Sequence, residues 1–194
     1  RPSTPKYTTE LPAIPAEGAG LDSFVAQHEA RYKLKPDNEA RILWANDSAK
    51  AVTEYAVVYL HGFSACQEEG DPVHYDFAQK FGCNLFLSRL DAHGLDTTEP
   101  LVSFTAAGAW QTAKEAYAIG KKLGKKVILM STSTGGTLAL KLAAEYPEIA
   151  GLILLSPNIE INDPNAWLLN NHWGLQIAHL VKGKYNVIAD STPV

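Results

Sequence analysis

The stretch MSTSTGG, residues 130–136, joins an apolar run to a helical pattern. It begins at the last residue of the apolar run Val127–Met130 and precedes Thr137–Glu145, whose sequence is TLALKLAAE. An apolar run, a group of small residues and an amphipathic segment together predict a strand that turns tightly into a helix. Two interpretations fit such small side chains: the segment only caps a helix, or one serine stands above the turn as a nucleophile.

The spacing of the small residues selects Ser133 as the candidate nucleophile. A nucleophile elbow carries small residues two positions before and two positions after its serine, because the strained turn leaves no room for larger ones. Ser131 and Gly135 occupy these positions around Ser133, whereas Ser131 itself would be preceded by the bulky Leu129. A phosphate-binding loop is disfavoured, since the chain has neither a GKS/GKT ending nor GxGxxG spacing here.

Short apolar runs alternate with helical patterns through the middle of the chain. The predicted strands are 41–45, 55–60, 84–87, 127–130 and 152–155, and the predicted helices are 21–31, 75–81, 105–123 and 135–146. This alternation predicts an α/β fold whose mostly parallel sheet carries helices on both faces. The proline-rich residues 1–20 predict an extended arm, residues 21–157 the core, and residues 158–194 a helical cap segment.

Composition excludes several functional classes. A net charge of −4 and the lack of a basic run argue against nucleic-acid binding, and no apolar run approaches the ~18 residues of a transmembrane helix. Cys66 and Cys83 form neither a disulfide framework nor a metal cluster, so two free thiols or a single bridge are both open. We expect no metal and no cofactor.

A second loop belongs to the same edge of the predicted sheet. Because the carboxyl ends of parallel strands meet at one edge, the loop His61-Gly62-Phe63 is expected near Ser133. An esterase needs two backbone N–H groups directed at the oxyanion of its intermediate. We expect these from Phe63 and Thr134, with His61 and Gly62 supporting the loop.

Four segments in this order resemble a known family: YLHGFSA, SRLDAHGLD, MSTSTGGTLALKLAAEYP and GLILLSP. Together they resemble the α/β-hydrolase fold, and within it the carboxylesterase and monoglyceride-lipase-like branch, over residues 55–157. The resemblance implies acyl transfer to water, in which Ser133 attacks a small-molecule ester with an apolar acyl group. Trp167, Leu168 and Trp173 would shape the acyl pocket, with ordinary packing of the cap as the alternative.

The other two members of the family's Ser-acid-His triad are not matched in this chain. His61 belongs to the oxyanion loop, and His93 matches a histidine that is usually structural in the family. Glu160 and Asp163 follow the last predicted strand, where some members carry the acid, but neither is assigned. The other histidines suit packing or a place in the cap: His28, His74, His172 and His179. We expect a missing C-terminal segment to supply further strands, the acid and the His.

Two other functions stay open at this point. A non-catalytic α/β-hydrolase-like protein could bind a ligand or a partner with every residue quoted above. A peptidase or amidase of the same fold would use the same serine and differ in its cap. Hydrolysis of a p-nitrophenyl ester separates the first alternative from an esterase, and a comparison of amides with esters separates the second.

Overall fold

The computed structural model describes residues 7–160, 167, 171 and 173–182. The chain divides into two compact units, of which the larger runs from Tyr7 to Ile159 and the smaller contains the residues from Glu160 onward. Of the smaller unit the structure describes mainly one helix, α5 (Gly174–Lys182). Asp163, Leu168 and His172, which the sequence analysis named, lie outside the described residues.

The larger unit is built on a five-stranded sheet. Its strands are β1 (Arg41–Leu43), β2 (Thr53–Leu60), β3 (Asn84–Leu87), β4 (Gly124–Thr132) and β5 (Gly151–Leu155). Their order across the sheet is β1-β3-β2-β4-β5; β2 to β5 run parallel and β1 pairs antiparallel with β3. The predicted α/β class and mostly parallel sheet are therefore confirmed.

Helices connect these strands and cover both faces of the sheet. They are α1 (Gly20–Glu29), α2 (Val73–Phe81), α3 (Ala106–Leu123) and α4 (Thr134–Glu145), and a 3-10 turn spans Gln67–Gly70. The Thr105 hydroxyl begins α3 by accepting the Gly108 N–H at 3.0 Å. The chain leaves α2 at Gly82, whose φ of 61° is the left-handed conformation that favours glycine.

Two hydrophobic clusters hold the helices against the sheet. Alternating residues of β2 divide between them, with Ala56, Val58 and Leu60 in one cluster and Val57 and Tyr59 in the other. The first cluster joins α1, α3 and α4 to the sheet, and the second joins α2 to the opposite face. The period of two along the strand thus sends successive side chains to opposite faces.

Several elements differ in their bounds from the sequence predictions; β1, for example, ends at Leu43 and not at residue 45. Strand β2 begins at Thr53 and not at the predicted residue 55; Tyr55 near its start is 37% exposed, and only Ala56–Leu60 are buried. Strand β4 begins at Gly124, directly after α3, and is longer than the predicted 127–130. A side chain at Gly124 would collide with the backbone of Ala56, so the glycine permits the close approach of the neighbouring strand.

The extended residues before α1 are fastened to α3. The Lys114 side chain, which is fully buried, donates to the Thr8 hydroxyl at 3.0 Å and to the Glu10 carbonyl at 2.8 Å. The Trp110 indole N–H donates to the Thr8 carbonyl at 2.9 Å. These bonds satisfy the buried ammonium and hold the arm on the helix.

Among the residues that the structure describes, no helix combines the length and apolar character of a membrane span. The two cysteines are unbridged, with Cys83 buried and Cys66 partly exposed. Of the two alternatives for the cysteines, the structure therefore shows free thiols.

Candidate active site

The connection from β4 to α4 has a strained backbone. We call residues 131–136 the corner. Ser133 lies between the strand and the helix with φ 49° and ψ −113°, in a region that residues with a Cβ rarely adopt. Such conformations cost about 1–3 kcal/mol and persist only where the surroundings enforce them. Here the Ser133 N–H donates to Leu155 O at 3.0 Å, and its carbonyl accepts the Asn158 N–H at 2.9 Å.

Close packing of the corner against its neighbours explains why its residues are small. A Cβ at Gly135 would collide with the Leu60 carbonyl oxygen and lie 2.7 Å from that of His61. A Cβ at Gly136 would lie 2.6 Å from the Pro157 Cβ. Ser131 is fully buried in β4. The glycines therefore let the start of α4 pack directly against the end of β2 and the segment after β5.

The loop after β2 comes up to Ser133. We call residues 61–64 the β2 loop. A Cβ on Gly62 would lie 3.3 Å from the Ser133 Cβ, so the loop and the serine are in direct proximity. Within the part of the chain that the structure describes, no acceptor is hydrogen-bonded to the N–H of Phe63 or of Thr134. Both predicted oxyanion donors are thus free of other described partners.

Two histidines join the β2 loop to the loop after β3. His61 Nε2 accepts the Leu90 N–H at 3.0 Å, and its Nδ1–H donates to the Gly62 carbonyl at 2.8 Å. His93 Nε2 accepts the Ser64 N–H at 3.0 Å, and its Nδ1–H donates to the Asp91 carbonyl at 2.7 Å. The backbone partners assign these tautomers. Each loop therefore accepts a backbone N–H of the other through an imidazole.

Both imidazoles are held neutral. Burial lowers the pKa of His61 to about 3, and burial also lowers the pKa of His93. The two rings lie edge to face with centroids 4.9 Å apart. With both nitrogens of each ring occupied by backbone groups, this geometry suits loop positioning and leaves no nitrogen to act as a general base.

The other histidines of residues 7–159 are also engaged away from Ser133. His28 Nδ1 pairs with Glu115 Oε1 at 3.1 Å, and the buried His74 donates through Nε2 to the Gln67 carbonyl at 2.8 Å. Within residues 7–159 no histidine is hydrogen-bonded to the Ser133 hydroxyl. This stretch supplies no His partner for the serine.

The tryptophans expected to shape an acyl pocket lie in the smaller unit. Trp167 and Trp173 are 62% and 70% exposed. The Trp167 carbonyl accepts a hydrogen bond from the Asn171 side-chain amide at 3.0 Å. His179 lies on α5, and its side chain is exposed. The acyl-binding role of the tryptophans stays a prediction.

Sequence reasoning missed one acidic residue at the β2 loop. Glu69, in the 3-10 turn, accepts the Gly62 N–H through Oε2 at 2.7 Å. Its Oε1 would lie 2.9 Å from a Cβ placed on Gly62. No spacing or hydrophobic pattern in the sequence marks Glu69; its position depends on Gly70, which has to be small because His74 and Tyr59 fill the space beside it.

An aromatic surface flanks the β2 loop. The half-exposed Phe63 ring packs edge-on against Phe104 at 5.3 Å and against His93 at 5.7 Å. Among the residues that the structure describes, no group of three or more His, Cys, Asp or Glu could hold a metal ion. The chemistry available at the corner is therefore that of a hydroxyl, backbone N–H groups, a carboxylate and an apolar wall.

Comparisons with known proteins agree with this architecture. A family model described as serine aminopeptidase, S33, matches residues 108–189, which include β4, the corner and α4. The thermostable monoacylglycerol lipase of Bacillus sp. (strain H-257) is 28% identical over 106 residues, which make up 54% of this chain and 41% of that protein.

Solved structures share the fold at lower identity. A structure from work on LipS and LipT, two metagenome-derived lipolytic enzymes, has a TM-score of 0.61 and 20% identity, over 72% of this chain and 54% of that one. Rv0554 from Mycobacterium tuberculosis has a TM-score of 0.51 and 13% identity, over 80% and 53%. The chain thus spans about half the length of the proteins it matches. The chain therefore has the α/β-hydrolase fold, and its sequence is similar to the serine aminopeptidase family model and to a monoacylglycerol lipase.

Proposed function

We propose that the protein is a serine hydrolase that cleaves carboxylic esters through an acyl-enzyme on Ser133. The observation that carries the proposal is the strained, positive-φ backbone of Ser133 at a strand-to-helix junction, with glycines packed against the neighbouring strand. A nucleophile elbow has this local structure, because the strain lifts the serine hydroxyl above the turn. The same backbone would have no evident use in a simple helix cap.

The oxyanion of the tetrahedral intermediate would be bound by the N–H groups of Phe63 and Thr134. Support comes from the proximity of the β2 loop to Ser133 and from the lack of described acceptors on both N–H groups. Donors fixed before the reaction stabilise the developing charge without reorganising. The N-terminal end of α4 adds a favourable dipole.

The general base and the acid that orients it would come from residues beyond those described. The histidines of residues 7–159 are occupied by backbone groups or by Glu115, which supports this assignment. A C-terminal segment would supply both groups and pair with β5, which is one of the two edge strands of the described sheet. In the reaction, the base accepts the serine proton and later returns a proton to the alkoxide leaving group.

The substrate would be a small ester with an apolar acyl group. Two of the relatives are called a monoacylglycerol lipase and lipolytic enzymes, which favours a lipid-like ester. The apolar wall of Phe63 and Phe104 beside the β2 loop suits an acyl chain. Trp167, Leu168 and Trp173 would complete the pocket.

A peptidase or amidase is the second candidate. The observation that favours it is the matching family model, which is described as a serine aminopeptidase. The same serine and the same N–H donors would serve amide hydrolysis. Rates on an aminoacyl p-nitroanilide and on an acyl p-nitrophenyl ester of similar size distinguish the two; a higher kcat/KM on the amide would overturn the esterase assignment.

A fluorophosphonate probe tests the nucleophile directly. Applied to the full-length protein, it should label Ser133, and mass spectrometry of the tryptic peptide should locate the adduct there. Ser133→Ala should abolish labelling, while Ser48→Ala, at an exposed serine between β1 and β2, should leave it unchanged. Labelling that survives in Ser133→Ala, or that maps to Ser131, contradicts the proposal. A protein that is folded but unlabelled supports a non-catalytic binding function.

A further inference from the structure

The 3-10 turn Gln67–Gly70 is fixed by packing against the second hydrophobic cluster. A Cβ at Gly70 would collide with the His74 ring and lie 2.6 Å from the Tyr59 ring. His74 is buried, packs edge-on against Tyr59 with centroids 4.8 Å apart, and donates to the Gln67 carbonyl. The backbone that carries Glu69 therefore has little freedom, although the Glu69 side chain itself reaches the surface.

The Glu69 carboxylate contacts Gly62, the glycine of the β2 loop that lies beside Ser133 in space. Its Oε2 accepts the Gly62 N–H at 2.7 Å, and a Cβ built on Gly62 would meet Glu69 Oε1 at 2.9 Å and the Ser133 Cβ at 3.3 Å. Burial raises the pKa of Tyr59 to about 12, and the negative charge of Glu69 acts in the same direction. Glu69 and Ser133 thus pack against one residue.

Hydrogen bonds fix both peptide groups of Gly62. On one side Glu69 holds the N–H. On the other side the Gly62 carbonyl accepts the His61 Nδ1–H at 2.8 Å and the Ala65 N–H at 3.4 Å. That carbonyl belongs to the same planar trans peptide as the Phe63 N–H, so fixing the carbonyl directs the N–H to the opposite side. These three bonds together restrain the backbone on both sides of Gly62, and with it the direction of the Phe63 N–H.

We propose that Glu69 is a positioning residue, which holds Gly62 so that the Phe63 N–H points at the oxyanion formed on Ser133. The inference deepens the proposed function and rests on it. Glu69 would contact neither the reacting atoms nor the proton that is transferred. It acts through the backbone of the β2 loop. Its contribution is to the geometry of the transition state and not to the binding of the ester.

A carboxylate at this position is explained by the hydrogen bond that it accepts from Gly62, and not by the effect of its charge on the oxyanion. A negative charge near a developing oxyanion opposes it, so the charge alone would slow the reaction. A carboxylate acceptor forms a stronger bond to a backbone N–H than a neutral group does. Glutamine has the same length and keeps an acceptor oxygen without the charge, whereas alanine removes both. The two substitutions therefore separate the roles.

Steady-state kinetics of the full-length protein on p-nitrophenyl butyrate test the inference. Glu69→Ala should lower kcat by about 10-fold to 100-fold, less than the loss of a whole oxyanion donor, with KM within about 2-fold. Glu69→Gln should keep kcat within about 3-fold of wild type, because its oxygen can still accept the Gly62 N–H. Glu68→Ala is the matched control: it removes the same charge from the exposed neighbouring residue and should leave kcat and KM unchanged.

An independent readout follows the loop itself. The Gly62 amide should exchange with deuterium faster in Glu69→Ala than in wild type or in Glu69→Gln, since its acceptor is gone. If Glu69→Ala does not fold, Glu69→Asp replaces it; its shorter side chain keeps the charge and withdraws the oxygen, so kcat should fall as well.

Several outcomes contradict the inference. Wild-type kcat in Glu69→Ala, or in Glu69→Asp where alanine does not fold, overturns it. Equal losses of kcat in the alanine and glutamine variants also overturn it, because they show that an acceptor oxygen at the same distance does not preserve the geometry of the loop. A loss expressed in KM alone points to substrate binding. If wild-type protein neither cleaves the ester nor reacts with the fluorophosphonate at Ser133, the proposed function has failed, and the inference fails with it.

Discussion

The corner and the β2 loop meet at Ser133 but are stabilised in different ways. At the corner, backbone packs against backbone: Gly135 lies against the carbonyls of Leu60 and His61, and the strain at Ser133 is enforced by bonds to Leu155 and Asn158. In the β2 loop, side chains hold the backbone, with His61 and Glu69 bonded to the two peptide groups of Gly62.

This difference has a mechanical consequence. An atom added to a side chain at the corner meets backbone atoms, which cannot shift unless a strand shifts. A larger side chain there should therefore strongly destabilise the protein. An atom added in the β2 loop meets side-chain atoms, which can rotate away. A larger side chain there should therefore disturb the geometry of the loop more than the stability of the protein. The four predictions below test this contrast, in order of decreasing expected effect.

The largest effect should come from the serine itself. Ser133→Ala removes the proposed nucleophile and should lower kcat for p-nitrophenyl butyrate by about 10⁶-fold, the scale found when a triad serine is lost. The free energy of unfolding should change little, because alanine keeps the Cβ in the same strained conformation. Ser48→Ala serves as the kinetic control. Residual activity above about a tenth of wild type would contradict the assignment of the nucleophile.

Gly135→Ala should be the most destabilising substitution at the corner. Its Cβ would collide with the Leu60 carbonyl oxygen, and the free energy of unfolding should fall by about 3 kcal/mol or more. Urea denaturation followed by tryptophan fluorescence measures the change. Gly151→Ala, where nothing lies within 4 Å of the added carbon, should change stability by less than about 1 kcal/mol. Similar changes in the free energy of unfolding for the two variants would show that the backbone at the corner can shift to accommodate the added methyl group.

The corner and the β2 loop also differ in how far their structure could be predicted from the sequence. The corner was predictable because its requirements are local: small residues at fixed positions around Ser133, between an apolar run and a helical pattern. Strand β3 matched its predicted bounds for the same reason, since a short apolar run between turn residues is a local signal. Local rules therefore recovered the order of elements and the strand-to-helix junction at Ser133.

The supports of the β2 loop were not predictable in this way. The bond from Gly62 to Glu69 exists only because Gly70 packs against Tyr59 and His74, a tertiary arrangement without a period in the sequence. The exchange of bonds between His61 and His93 likewise joins residues that follow different strands. Side chains that accept backbone N–H groups leave no pattern of hydrophobicity or spacing.

The pH dependence of stability tests the histidine support. The pKa of His61 is about 3 in the folded protein and 6.5 as its ordinary value, so between these values the unfolded chain binds a proton that the folded protein does not. Stability is therefore full above pH 6.5 and falls as the pH decreases toward 3, by about 1.4 kcal/mol for each unit of the difference. The lowered pKa of His93 acts in the same direction.

His61→Gln removes this titration. In urea denaturation at pH 7 the variant should lose about 1–3 kcal/mol, because the Leu90 N–H or the Gly62 carbonyl loses its partner. Between pH 7 and 4 its stability should decline less steeply than that of wild type. His28→Gln, at a half-exposed ring, should cost less than about 1 kcal/mol at pH 7. Parallel declines for wild type and His61→Gln would show that His61 takes up its proton in the folded state.

The smallest effect on stability should follow from an added methyl group in the β2 loop. In Gly62→Ala the new Cβ would meet Glu69 Oε1 at 2.9 Å and the Ser133 Cβ at 3.3 Å. The Glu69 carboxylate lies at the end of a flexible side chain and can rotate away, so the free energy of unfolding should fall by only about 1 kcal/mol. Rotation breaks the bond to the Gly62 N–H, however, and kcat should fall by about 10-fold or more. Gly62→Ala and Gly135→Ala thus form a pair with opposite profiles, the first catalytic and the second structural. If Gly62→Ala is as destabilised as Gly135→Ala, the β2 loop is as rigid as the corner, and its side-chain supports do not yield.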